Sequence, residues 1–162
     1  MNVTDEMTTG MAKVTANLQA LEFVLRLFLY ESVGPKDPDL RFERLSAGDV
    51  VLETPLTNYD SLGEVIKKVN RRLEAIGRPE RIDKSLVDVR DAFAHGRILA
   101  DRPEGPFRLV KFCRPSAGTV KVAESVDLTP DWLDLQWQRT CAEVRKVVEL
   151  DRSLGLAAFP PD

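Results

Sequence analysis

Four stretches of the chain carry apolar residues at the spacing of an amphipathic helix. A period of three to four residues runs through residues 11–32, 61–76 and 129–150, and through a segment that begins near Arg81 and includes the stretch 89–99. Glycine or proline residues separate these stretches. In the first stretch the apolar residues at this spacing are Val14, Leu18, Leu21, Leu25 and Phe28. Because this period places apolar side chains on one face of a helix, four helical faces must be buried. The sequence therefore predicts an all-α fold class, a four-helix up-and-down bundle.

The segment 107–126 departs from this pattern. Two short runs rich in β-branched and apolar residues, RLVKFC and TVKVAESV, are separated by RPSAG, which contains turn residues. They predict a β-hairpin inserted before the last long helix. The chain has 162 residues, which suits one domain, so we expect a single helical domain over residues 1–162 with this insertion. The connection over residues 33–58 is long for a compact domain, and the sequence does not indicate its role.

Composition excludes several classes of protein. The most apolar run, residues 21–30, is interrupted by Glu22 and Arg26 and is about half as long as a membrane-spanning helix. The chain shows no signal peptide, so we expect a cytoplasmic protein with no membrane partner. Cys113 and Cys141 belong to no Cys/His cluster, so neither a disulfide framework nor a metal site is predicted. No glycine-rich phosphate loop occurs, and no cofactor is indicated.

Charge is distributed unevenly along the chain. The whole chain has a formal net charge of -3, whereas residues 67–97 contain nine Lys or Arg against five Asp or Glu, which gives this stretch about +4. A local excess of positive charge is suited to contact with phosphate groups. A solvated helix face is the alternative interpretation of such a run.

The stretch VRDAFAHGRIL, residues 89–99, contains the only histidine of the chain, His95, five positions after Arg90. On an ideal helix the two side chains are ~140° apart and displaced by ~7.5 Å along the axis, so they diverge. Three arrangements could bring them together. In the first, the arginine side chain reaches round the helix. In the second, the helix loosens at Gly96, and in the third, a second copy of the chain completes the site.

The segment RDAFAHGRI resembles the signature of the HEPN (higher eukaryotes and prokaryotes nucleotide-binding) superfamily, in which an arginine, a polar residue and then a histidine lie on one helix of a bundle. Arg90, Asp91 and His95 match these positions, and the helix order is similar over most of residues 11–153. The resemblance implies a metal-independent ribonuclease, often a toxin or defence effector. It also implies a homodimer in which two motif helices face each other across one cleft, with RNA as the substrate.

The chemistry of the residues suits that activity. Without a metal, RNA cleavage uses the substrate's 2′-hydroxyl as nucleophile, and it needs proton transfer and positive charge near the phosphorus. Histidine suits proton transfer and arginine suits phosphate oxygens. We therefore assign His95 to acid/base catalysis, Arg90 to transition-state charge, Asp91 to orienting His95, and Arg97 to substrate binding.

Two departures from the family pattern keep an alternative open. In the family, asparagine is commoner than aspartate at the position after the arginine. Here that position is Asp91, and its carboxylate adds negative charge beside the phosphate site. Toxin members with a nucleotidyltransferase antitoxin carry a tyrosine where this chain has Arg97. An antitoxin or regulatory protein is therefore expected to act, if present, without modifying a tyrosine at this position. The alternative to a ribonuclease is a non-enzymatic HEPN dimer that binds nucleotide, RNA or a partner protein.

Overall fold

A computed structural model describes residues 3–33, 36–37, 40–100 and 105–156 of the chain. In these ranges the elements are α1 (Val3–Ser32), a 3₁₀ helix (Phe42–Arg44), α2 (Leu62–Ala75), α3 (Leu86–His95), β1 (Arg97–Ala100), β2 (Phe107–Phe112), β3 (Val122–Leu128) and α4 (Pro130–Ser153). None of the described helices has both the length and the apolar character needed to span a membrane.

The chain divides into two compact units, each with its own buried apolar residues. The first unit comprises residues 1–20 and 84–142, and the second comprises residues 21–83 and 143–162. The predicted single domain over the whole chain stays a prediction, because a compact unit defined by contacts need not fold on its own.

The first unit contains an antiparallel sheet in the order β1-β2-β3. Arg97 pairs with Val110 at one end of β1, and Phe107 pairs with Leu128 in the hairpin of β2 and β3. Helix α3 packs against β2. The core of this unit consists of apolar side chains from the helices and the sheet: Met7, Val14, Leu18, Leu86, Val89, Ala92, Leu109, Val110, Leu128 and Leu133. Buried residues of the sheet and of α3 thus belong to one core.

The second unit is built on the apolar faces of α2 and of parts of the two long helices. Its buried side chains are Leu21, Val24, Leu25, Phe28, Leu29, Leu62, Val65, Ile66, Val69, Leu73, Ile82, Val147 and Leu150. A buried amide also joins α2 to the following segment. The Asn70 side chain donates to the Ile82 carbonyl at 3.1 Å and accepts from the Ile82 N–H at 2.7 Å. Because both backbone groups of Ile82 are bonded to a side chain, this residue lies outside a helix.

The predicted all-α class, a four-helix bundle with an inserted hairpin, is wrong. Over the described residues the structure combines four α-helices with a three-stranded antiparallel sheet, so the fold is mixed α and β. The predicted hairpin forms from β2 and β3, but Arg97–Ala100 adds a third strand on the other edge of β2. The third helix is predicted to begin near Arg81 and to include the stretch 89–99, but α3 begins only at Leu86 and ends at His95. The chain turns at Gly96 because the free edge of β2 offers hydrogen-bond partners to the next residues.

The start of α2 is fixed by a capping box, in which two side chains bond to each other's backbone. The Ser61 hydroxyl accepts from the Glu64 N–H at 3.3 Å, and the Glu64 carboxylate accepts from the Ser61 N–H at 2.8 Å. The Ser61 N–H, and then the Ser61 hydroxyl, which donates to the same carboxylate at 3.0 Å, lower the pKa of Glu64 below its ordinary value of 4.5. The ionised carboxylate is therefore the form that stabilises the helix.

Glu64→Gln is expected to reduce the dependence of stability on acid pH. A carboxyl group whose pKa is lowered by folding stabilises the fold above its unfolded pKa, and this contribution is lost as pH falls through the lower folded pKa. Glutamine keeps the capping bond without titrating. Urea unfolding between neutral pH and about pH 3 checks this, since the variant should lose less free energy of unfolding than the wild type. An identical loss in both proteins would contradict the assignment.

Candidate functional site

The sequence motif lies on α3 and at its C-terminal end. Leu86, Val89 and Ala92 are buried on one face of this helix, while Arg90 and Asp91 are partly exposed and His95 is exposed. The stripe of apolar residues fixes which way the helix faces, because it packs against the core of the first unit. The three motif residues thus lie on the accessible side or its edge.

Gly96 ends α3 at a point where the chain has no space for a side chain. Its N–H donates to the Ala92 carbonyl at 2.8 Å, and its φ of -75° and ψ of 175° suit any residue. A Cβ atom at this position would clash with the Ala92 carbonyl oxygen and lie 2.7 Å from Leu109 Cδ1 on β2. Glycine is therefore required by the close approach of helix and strand, and it determines where His95 and Arg97 are placed.

Asp91 lies between two cations. Its Oδ1 is 2.9 Å from Arg90 Nη1 and its Oδ2 is 4.0 Å from Lys111 Nζ. The side chains of Arg90 and Asp91 are 35% and 34% exposed, so these ion pairs are partly screened by solvent. The cluster of Arg90, Asp91 and Lys111 carries a net charge of about +1, which favours an anion beside it.

His95 is placed apart from that carboxylate. In the described part of the chain, Asp91 contacts Arg90 and Lys111 rather than His95, and the His95 carbonyl oxygen accepts from Arg97 Nη1 at 3.2 Å. The structure thus brings Arg90 together with Asp91, and Arg97 together with the His95 backbone. It does not join the two pairs within one chain. The orienting role of Asp91 and the substrate contact of Arg97 stay predictions.

Lys111 is a member of this cluster that the motif did not indicate. It lies on β2, and alternate residues of a strand face the same side, so Lys111 shares a side with Phe107 and Leu109. Leu109 is the residue that contacts the end of α3. The only sequence feature that pointed to Lys111 was its position in the predicted hairpin, two residues after the apolar Leu109. That feature places Lys111 at the site only once α3 is known to pack on β2.

Comparison of the chain with protein-family models, curated proteins and solved structures finds no significant match. Within the described ranges, no three His, Cys, Asp or Glu side chains are grouped as a metal site requires. The resemblance to the HEPN superfamily therefore stays an expectation from the sequence motif alone.

Proposed function

We propose that this chain is a cytoplasmic, metal-independent endoribonuclease of HEPN type. The observation that supports it best is the exposure of the motif: His95 is exposed at the end of α3, and Arg90 is partly exposed on the same helix. A histidine that contributed only to packing would have a buried imidazole. Lys111 and Arg97 add positive charge on the adjoining strands, which suits a polyanionic substrate.

The proposed reaction needs only the substrate and these side chains. The 2′-hydroxyl oxygen of RNA attacks the adjacent phosphorus as its proton passes to a base. The bond to the 5′-oxygen then breaks and that oxygen takes up a proton. The products are a 2′,3′-cyclic phosphate and a 5′-hydroxyl. His95 transfers protons, and the guanidinium of Arg90 binds the oxygens that gain negative charge in the transition state.

A homodimer is part of the proposal, because one chain does not bring the motif together. Arg90 and His95 diverge by ~140° around an ideal helix, and Arg90 bonds to Asp91 in the structure. In a symmetric pair, the α3 helix of one protomer can provide the group that the other lacks. A role as a toxin or defence effector, restrained by an antitoxin or another regulatory protein, accompanies this proposal.

The test is cleavage of a single-stranded RNA by the purified protein in the presence of EDTA. We expect products that end in a 2′,3′-cyclic phosphate, detected by their resistance to a phosphomonoesterase until the ring is opened by acid. His95→Ala should slow cleavage by about 10²-fold or more, whereas Lys84→Ala, which removes an exposed cation just before α3, should leave the rate unchanged. Cleavage at the wild-type rate in His95→Ala would exclude this mechanism.

A second candidate function is supported by the ion pair. The carboxylate of Asp91 neutralises part of the charge of both Arg90 and Lys111, which weakens the ability of these cations to stabilise a phosphorane. On this observation, the chain is a non-enzymatic dimer that binds nucleotide, RNA or a partner protein at the same surface. RNA binding without turnover, weakened by Arg90→Ala and unchanged by His95→Ala, would identify this function.

Asp91→Asn is expected to increase RNA cleavage about tenfold at low salt, since it removes one negative charge next to Arg90 and Lys111. The gain should decrease as salt is raised, because these groups are partly exposed and ions screen them. Initial rates at several salt concentrations measure it. Asp88→Asn is the matched control, because it makes the same change at an exposed position in the first turn of α3. A lower rate in Asp91→Asn alone would instead support an orienting role for the carboxylate.

A further inference from the structure

The second unit contains a cavity that is separate from the motif residues. It has a volume of about 530 Å³ and is lined by the C-terminal part of α1, by residues of the segment 55–60 and by α2. Sites for small molecules commonly have volumes of roughly 300–1,000 Å³. The cavity is therefore large enough for a small ligand.

One part of the lining is aliphatic. The wall includes Leu29 of α1, Val33 just after that helix, Pro55 of the connecting segment and Ala75 of α2. Val33 is 61% exposed although it is apolar, so a ligand there would remove apolar surface from water. Among the described lining residues there is no aromatic ring on which a nucleobase could stack. This part of the wall suits an aliphatic body.

The other part of the lining is cationic. Lys68, Arg71 and Arg72 lie on α2 and face one carboxylate, that of Asp60, so the wall has a net charge of about +2. Lys68 bonds to Asp60, and this bond lowers the pKa of the Asp60 carboxyl, which stays ionised. The Nε–H of Arg72 is buried and has no acceptor in the described part of the chain. An anionic oxygen of a ligand would give this N–H an acceptor if the guanidinium turns toward the cavity on binding.

The wall that faces α2 is held in place before any ligand binds. The Arg26 guanidinium donates to the carbonyl oxygens of Pro55 at 3.1 Å and of Asn58 at 3.3 Å, and also to that of Asp60. It further bonds to the Asn58 side chain at 2.8 Å and to Glu22 at 2.9 Å. Because one half-buried guanidinium binds several groups of the segment, the cavity does not need to be ordered by its ligand, which favours binding.

We propose that this cavity binds a small amphiphilic anion, with an aliphatic body and a terminal carboxylate or phosphate. The aliphatic body contacts Leu29, Val33 and Ala75, and the anionic head contacts Arg71 and Arg72. A guanidinium binds a carboxylate or phosphate through two parallel hydrogen bonds, so the pair of arginines is suited to either head group. The proposal is independent of ribonuclease activity, since it involves none of the motif residues.

Isothermal titration calorimetry of the full chain tests this, with decanoate, decyl phosphate, decanol and inorganic phosphate as probes below their aggregation limits. We expect saturable binding of decanoate or decyl phosphate, and the tighter of the two identifies the head group. Decanol and inorganic phosphate should bind at least about tenfold more weakly, because each lacks one half of the ligand. Equal binding of decanol, or no binding of either anionic amphiphile, would overturn the proposal.

Variants locate the binding. Arg71→Ala should weaken it about tenfold or more, since Arg71 is exposed and lines the cavity. Lys67→Ala is the matched control, because it removes one exposed charge from the same helix outside the cavity lining. Ala75→Trp should weaken binding by filling the apolar part without changing charge. Equal losses in Lys67→Ala and Arg71→Ala, or unchanged affinity in both Arg71→Ala and Ala75→Trp, would show that the anion binds elsewhere.

Discussion

Gly96→Val is expected to lower the free energy of unfolding by about 3 kcal/mol or more, the range of severe overpacking. The backbone at Gly96 is extended, a conformation that valine adopts readily, so the expected loss is a matter of space alone. A Cβ atom would meet a backbone carbonyl oxygen, that of Ala92, which cannot move without breaking the end of α3. The Leu109 methyl group, 2.7 Å away, closes the other side. Urea unfolding followed by circular dichroism measures the change.

Gly10→Ala is the matched control for this substitution. Gly10 lies inside α1, and a Cβ atom there would be 2.8 Å from Cδ1 of Leu133, which is the end of a flexible side chain. Alanine also favours the helix over glycine by about 1 kcal/mol, which offsets the repacking of Leu133. We expect its free energy of unfolding to remain within about 1 kcal/mol of wild type. A Gly96→Val protein as stable as Gly10→Ala would contradict the close packing of α3 on β2.

Elements with local signals were predictable from the sequence. Ser61, directly before the apolar face of α2, is the N-cap of that helix, and Thr129 accepts from the Trp132 N–H at the start of α4, with Pro130 as its first residue. In both cases the signal and the bond lie within four residues of each other. The late start of α3 has a different origin. Asn70 holds Ile82 from another element, and no local pattern at Ile82 reports that bond.

The strand β1 could not be predicted because its partner defines it. All four of its residues are exposed, so it lacks the alternation of buried and exposed positions that identifies a half-buried strand. Its stability comes from pairing with β2, whose residues follow several positions later in the chain. The same limit applies to the site. Arg90, Asp91 and His95 are recognisable on one helix, whereas Lys111 reaches Asp91 only through the packing of that helix on the sheet.

His95→Ala and Arg90→Ala are each expected to reduce RNA cleavage by about 10²–10⁴-fold, the usual contribution of a positioned acid or base or of a charged donor at the transition state. The rate loss should appear in kcat rather than in KM, because both groups act most strongly in the transition state. The double variant should be no more than about tenfold slower than the poorer single variant, since groups that act as a unit are not additive. Additive losses would place the two side chains in separate steps.

Mixing the two inactive variants is expected to restore activity if a site takes its guanidinium from one protomer and its imidazole from the other. After exchange of protomers, about half of the dimers contain one copy of each variant, and each of these has one intact site of two. The mixture should therefore recover about a quarter of the wild-type rate, whereas either variant alone remains inactive. Unfolding curves of the separate variants control for misfolding. If the mixture stays inactive while protomers exchange, Arg90 and His95 do not act across the dimer, and the divergence of the two side chains around α3 must be overcome within a single chain.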